Sequence, residues 1–216
     1  MPPYKIDLLL QSTIDTLVMV GVSALFVFFF GLILALILVT TDRQGIFAAP
    51  KVNALLGFVI NTTRSIPFLI LMVALIPLTR LIVGTSYGIW AAVVPLTIAA
   101  IPFFARIAEV SLREVDSTII EAAQSLGSNR PRVIWHVLIP EALPGLVAGF
   151  TVTIVTMINS SAIAGAIGAG GLGDLAYRYG YQRFDGQMML AVIVVLVIIV
   201  MVVQFLGDTL SRSLSH

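Results

Sequence analysis

The 23 residues Leu17–Val39, LVMVGVSALFVFFFGLILALILV, carry no charge, and nothing in them breaks a helix except two glycines. Roughly 20 mainly apolar residues are what a helix needs to cross the hydrocarbon core of a bilayer. A signal-peptide core is shorter and is followed by a small-residue cleavage site. This run is too long and has no such site directly after it, so it reads as a permanent span. The rest of the chain agrees. Of its 216 residues 59% are hydrophobic and 11% charged, against about a quarter charged in soluble domains. Mean hydropathy is +1.07. The apolar residues fall in long runs rather than in the short stripes of a globular core, which excludes a water-soluble enzyme and a disordered scaffold. A formal charge of +1 gives no field for recruiting nucleic acid. The chain has no cysteine, hence no disulfide and no thiolate metal site.

Four further runs qualify as spans: residues 54–78, which include Arg64, Pro67 and Pro77; residues 88–107, with Pro95 and Pro102; residues 143–163; and residues 188–206. No internal repeat separates them, so residues 1–216 read as one all-α integral membrane bundle of five helices. With five spans the two termini lie on opposite sides. Arg43, Lys51, Arg106, Arg113, Arg130, Arg132 and Arg212 share one side; Lys5, Arg80, Arg178 and Arg183 share the other. The positive-inside rule then puts the C-terminus in the cytoplasm and the N-terminus outside. Arg64 and Asp15 read as residues near span ends, explained by snorkelling or capping.

One loop differs from the rest. Residues 108–142 are long and, with Arg106 just before them, gather much of the scarce charge. Thr118–Leu126 reads as a short helix, Gly127 as the left-handed residue that ends it, and Ser128 as the N-cap of a second helix that tolerates Pro131 in its first turn. This elbow could be a solvated linker, a DNA-reading helix-turn-helix or a docking surface for another protein. The DNA reading fails because membrane helices flank it and few side chains could reach bases or phosphates. The docking reading uses small Ala122, Ala123 and Gly127 for close approach and Ile119, Leu126, Ile134 and Val137 for apolar contact.

Glu121-Ala122-Ala123, then Gly127, then Val137-x-Ile139-Pro140 resembles the EAA loop of ABC importer permeases, whose pattern ends Ile-x-Leu-Pro. The resemblance implies a small type I importer fold, a homodimer, and a coupling helix seated in a groove on a cytoplasmic ABC ATPase subunit. Glu121, Ala122, Ala123, Leu126 and Gly127 would make that contact. Asn61–Phe68, Ile76–Arg80, Val83–Ser86, Pro140–Val147 and Gly168–Gly173 are similar to the methionine-importer branch. Methionine is then the implied substrate, delivered by an external substrate-binding lipoprotein to a bacterial inner-membrane permease that works by alternating access.

The residues are consistent with an outside source of energy. Lys5 and Lys51 have no glycine before them, so no P-loop is present, and Gly168-x-Gly170-x-x-Gly173 matches a dinucleotide fingerprint by letters alone, following a membrane helix rather than a strand. The chain is expected to hold no cofactor, with ATP and magnesium on the partner. His136 and His216 are placed for neither a metal cluster nor nucleophilic catalysis, so no enzyme chemistry is expected. Secondary carriers use ionisable groups at mid-membrane, which these spans nearly lack; a carrier or channel working without an ATPase is the alternative. The fourth span is the most polar. At helical spacing Thr153, Thr156, Ser160, Ile163 and Ile167 share one face, which either lines the path or packs helices together. Ile163 is the candidate gate at a dimer axis. The loop 168–187, with Tyr177, Tyr179 and Tyr181, reads as an interfacial aromatic belt facing lipid headgroups.

Overall fold

The computed structural model describes residues 2–43 and 45–215, and among these every regular element is a helix. Ten helices run in order: α1 (Pro3–Thr40), α2 (Pro50–Arg64), α3 (Phe68–Ala74), α4 (Ile76–Val83), α5 (Ile89–Arg113), α6 (Ser117–Ser125), α7 (Arg130–Val133), α8 (Ile139–Ala164), α9 (Gly171–Leu175) and α10 (Gly186–Leu214). Wider π-helical turns join α7 to α8 (Ile134–Leu138), follow α8 (Gly165–Ala169) and follow α9 (Ala176–Tyr181). Among the described residues four segments are long and apolar enough to cross a bilayer, α1, α5, the continuous run 130–169 and α10, and the bent pair α2–α3 makes a fifth if it counts as one span.

The run 54–78 is not one straight span. It breaks at Ser65–Pro67, where α2 and α3 meet at 102°. Proline lacks an N–H and pushes the residue before it out of helical geometry, so Pro67 ends the run and starts α3 as its N-cap. Pro77 falls in the first turn of α4, where a missing N–H costs nothing. Pro95 and Pro102, by contrast, lie inside α5, which continues through both.

The bundle packs around α1, α5 and α8. Phe28, Phe104 and Phe150, one from each, form a ring cluster with centroids 5.0–5.9 Å apart, and Phe104, Leu112, Leu138 and Leu146 are fully buried. Lipid tails are as apolar as leucine, so membrane helices associate through close fit, and small residues permit it. Gly145 and Gly149 serve that purpose on α8. A Cβ on Gly145 would stand 2.8 Å from the Ser111 hydroxyl, and one on Gly149 would overlap Ile107, both on α5. Helix α10 lies at the periphery with few buried residues, a face for lipid or another chain.

Residues 168–187 are mostly helical rather than loop. After α8 the chain reverses through Gly168 (φ +103°) and Gly170 (φ +85°), and α9 folds back so that Leu172 and Leu175 join Met188 and Val192 in a buried cluster. Thr16 of α1 accepts the Leu172 N–H at 2.9 Å. The glycine spacing therefore serves a chain reversal and close helix packing.

Candidate functional site

The elbow begins at Asp116, whose carboxylate accepts the Thr118 N–H at 2.8 Å and caps α6. That bond, made to the charged form, holds the Asp116 carboxyl below the ordinary carboxylate range. Gly127 ends the helix with φ +85°. Its N–H reaches the Gln124 carbonyl at 2.9 Å, and the Ser128 N–H reaches the Ala123 carbonyl at 3.1 Å, which is the Schellman pattern that a left-handed residue makes possible. The second helix starts one residue later than its sequence suggests. Asn129, not Ser128, is the cap, accepting the Arg132 N–H at 3.1 Å, while Ser128 belongs to the turn that closes α6.

The five coupling candidates are therefore continuous in space. Glu121, Ala122, Leu126 and Gly127 are exposed and Ala123 is half-buried. No residue of α6 is buried. Leu126 is 88% exposed, more than almost any other large apolar side chain. Trp135 is exposed nearby in sequence, whereas Val133 and Leu138 turn fully inward. Glu121 also borders a cleft of about 680 Å³ between the ends of α1 and α5 and the elbow.

The base of the elbow is held by charge. Buried Glu109 accepts from Arg113 at 2.9–3.0 Å and pairs with Arg106, while Arg113 also donates to Asp42 in the α1–α2 turn. The Arg113 hydrogen bond, with the Arg43 N–H second, keeps the Asp42 carboxyl below the ordinary carboxylate range. The last turn of α5 is thus tied to the turn that follows α1.

Within the bundle, Thr153, Thr156 and Ser160 of α8 line one cavity of about 290 Å³. The facing wall comes from the α2–α3 bend, with Thr63, Arg64, Ile66 and Phe68, and from Phe103 of α5. Ile163 is not part of this cavity. It is 43% exposed on the outside of the single chain. Ile167 lies in the π-helical turn with φ −110°, so the face 153–163 does not continue regularly to it. Arg64 is the residue the sequence reading undervalued. It is the last residue of α2, at the 102° bend into α3, its guanidinium 5.8 Å from the Phe103 ring centre. Pro67 three residues later was the signal for that bend. His136 lies in the π-helical turn with Nδ1 3.3 Å from the Arg132 carbonyl, and His216 is outside the described residues.

On the α9 side, Tyr177 and Tyr181 stack at 5.7 Å and Arg183 sits 4.5 Å from the Tyr179 ring centre. Asp185 caps α10 and pairs with Lys5 of α1.

Comparison with known proteins agrees with this architecture. Residues 29–216 match the family described as binding-protein-dependent transport system inner membrane component. The chain is 48% identical to the probable D-methionine transport system permease protein of Vibrio cholerae, over 97% of this chain and 93% of that one. It is 44% identical to the methionine import system permease protein of Bacillus subtilis, over 82% and 79%. Among solved structures it matches a chain of the MetNI methionine ABC transporter in inward-facing conformations with a TM-score of 0.98, 43% identity and full coverage of both chains. The elbow, the polar cavity and the all-helical frame thus belong to a permease, and the chain is a multi-pass member of the binding-protein-dependent transport system inner membrane components.

Proposed function

We propose that this chain forms the translocation path of an ATP-driven importer for an amino acid, methionine foremost, and that it works as a homodimer with one cytoplasmic ATPase docked on each elbow. The observation that carries the reading is α6: a capped, well-formed helix with nothing buried, which ends on an almost fully exposed leucine. Apart from Ile120, partly buried against the core, and half-buried Ala123, the helix presents its face to solvent, which suits a partner surface. The methionine assignment follows the names of relatives at 44–48% identity.

On this reading the subunit is non-catalytic, and ATP and magnesium are held by the ATPase. Closure of the ATPase pair would carry α6 with it, and the charged base at Glu109–Arg113–Asp42 would pass the movement to α5 and to the turn after α1. The bundle would rock between inward- and outward-open states. The N-terminus and the Tyr177–Tyr181 face would lie outside, where a substrate-binding lipoprotein delivers its cargo. Thr153, Thr156 and Ser160 would line the path, and Ile163, exposed on one copy, would meet its counterpart and close it. Co-expression with the ATPase tests the core of this. Equimolar recovery and ATP-dependent uptake of labelled methionine into vesicles are expected, while uptake that persists without the ATPase would replace the reading with a stand-alone carrier.

A further inference from the structure

Arg64, exposed at the end of α2, lines the cavity shared with α8. Helix α2 advances about 1.5 Å per residue, so Arg64, its last residue, lies about 21 Å along the helix from Pro50. Among the described residues no carboxylate forms an ion pair with it. An ionisable side chain on a cavity wall of a membrane bundle is by default a candidate for a substrate or ion pathway.

The threonines around Arg64, Thr63 beside it on α2 and Thr153 and Thr156 across the cavity on α8, have a complementary chemistry. Thr63, Thr153 and Thr156 each donate the hydroxyl hydrogen to the carbonyl four residues earlier, Val59 at 3.0 Å, Gly149 at 2.8 Å and Val152 at 2.9 Å. A hydroxyl that has spent its hydrogen has only acceptor capacity left. The cavity therefore offers one fixed cation, a set of acceptors and apolar surface from Leu71, Phe103 and Met157. A solute carrying only positive charge would be repelled by Arg64, and a purely apolar one would strip water from the guanidinium and return nothing. At about 290 Å³ the space is at the small end of ligand sites, enough for one amino acid and too small for a peptide.

We propose that this cavity is a transient substrate subsite. Arg64 takes the α-carboxylate of an amino acid through its two-pronged guanidinium, the threonine oxygens accept from the α-ammonium, and the side chain rests against Phe103 and Met157. The proposal rests on the amino-acid reading above and gives it an atomic basis. It is tested by uptake of labelled methionine per ATP hydrolysed, measured in vesicles that hold the permease, its ATPase and its binding protein. A charge-assisted hydrogen bond contributes roughly 1.5–3 kcal/mol, so Arg64→Ala should lower that ratio by about tenfold or more. Arg64→Lys, which keeps the charge and loses the fork, should recover part of it. Thr156→Val, nearly isosteric, should lower the ratio as well and keeps the test alive if Arg64→Ala fails to assemble. A ratio equal to the parent's in Arg64→Ala or Thr156→Val, at normal or reduced hydrolysis, overturns the subsite. Parent vesicles that take up no amino acid overturn the substrate reading first, which separates the two failures.

Discussion

Helices α6 and α8 are the two places where this chain goes against its surroundings, and they do so in opposite ways. Helix α6 sits among the chain's densest charge yet leaves Leu126 88% exposed and has no fully buried residue. Helix α8 runs through the apolar bundle yet turns Thr153, Thr156 and Ser160 toward a cavity with an arginine on its far wall. Each element breaks the rule of its own environment: an apolar side chain is left in water, and polar ones are left in the membrane. On the proposed function each mismatch would be relieved by something from outside the chain, a protein surface for α6 and a polar solute for α8. The remaining helices, which follow the rules, serve as frame.

Changes that separate the two regions should therefore fail in different ways. The largest effect is expected from Gly127→Arg, which should abolish coupled transport and ATPase recovery while normal amounts of the chain reach the membrane. A Cβ on Gly127 would meet nothing within 4 Å, so no clash within the chain contributes. What it adds is left-handed strain of about 1–2 kcal/mol and a bulky cation on the docking face. Gly127→Asn, which tolerates this backbone region, separates the two causes by pull-down of the ATPase. Leu126→Ser comes next. Burying a leucine in an interface contributes about 1.5–3 kcal/mol, so ATPase affinity should fall by about tenfold to a hundredfold, read by titrating the ATPase onto the reconstituted permease. If Leu126→Ser binds normally, the exposed tip is not the docking surface. Ile163→Ala should leave ATPase binding intact and instead make vesicles leak substrate or hydrolyse ATP without uptake. Tight coupling in that variant would remove Ile163 from the gate.

How much of this was legible in the residues follows from the range of the physics involved. The long apolar runs, the α6 stop at Gly127 and the Gly145–Gly149 packing face depend on local spacing, and they can be read directly. The break at Ser65–Pro67 was signalled by Pro67, but Pro95 and Pro102 carry the same local signal and leave α5 continuous. Only tertiary packing decides which proline bends its helix, so the cavity that Arg64 lines at the end of α2 could not be read from the residues. The reversal at Gly168–Gly170 was similarly hidden. Its aromatic residues suggested a surface belt, whereas the turn is fixed by Leu172 and Leu175 packing on Met188 and Val192, partners brought together only by the completed bundle.

The smallest effect should come from the elbow's base, where Arg113 bridges buried Glu109 and partly exposed Asp42. Asp42→Asn removes one of two partners. Exposed ion pairs contribute about 0.2–1 kcal/mol, so the thermal stability of the purified complex should drop only slightly and uptake by less than about fivefold. The pH dependence follows the same logic. The Asp42 carboxyl is held below its ordinary value, so its contribution is complete above the unfolded carboxylate range near pH 4 and is lost only as pH falls through the lowered value. Stability should accordingly be flat between pH 5 and 8 with respect to this group, in the parent and in Asp42→Asn alike. Glu109→Gln is the contrasting case, because it leaves Arg106 and Arg113 without their shared buried anion and should cost more than Asp42→Asn in the same melting assay. If Asp42→Asn were instead as damaging as Gly127→Arg, the elbow would act as one rigid piece with its base, and the distinction between an exposed docking tip and a locally tied root would be lost.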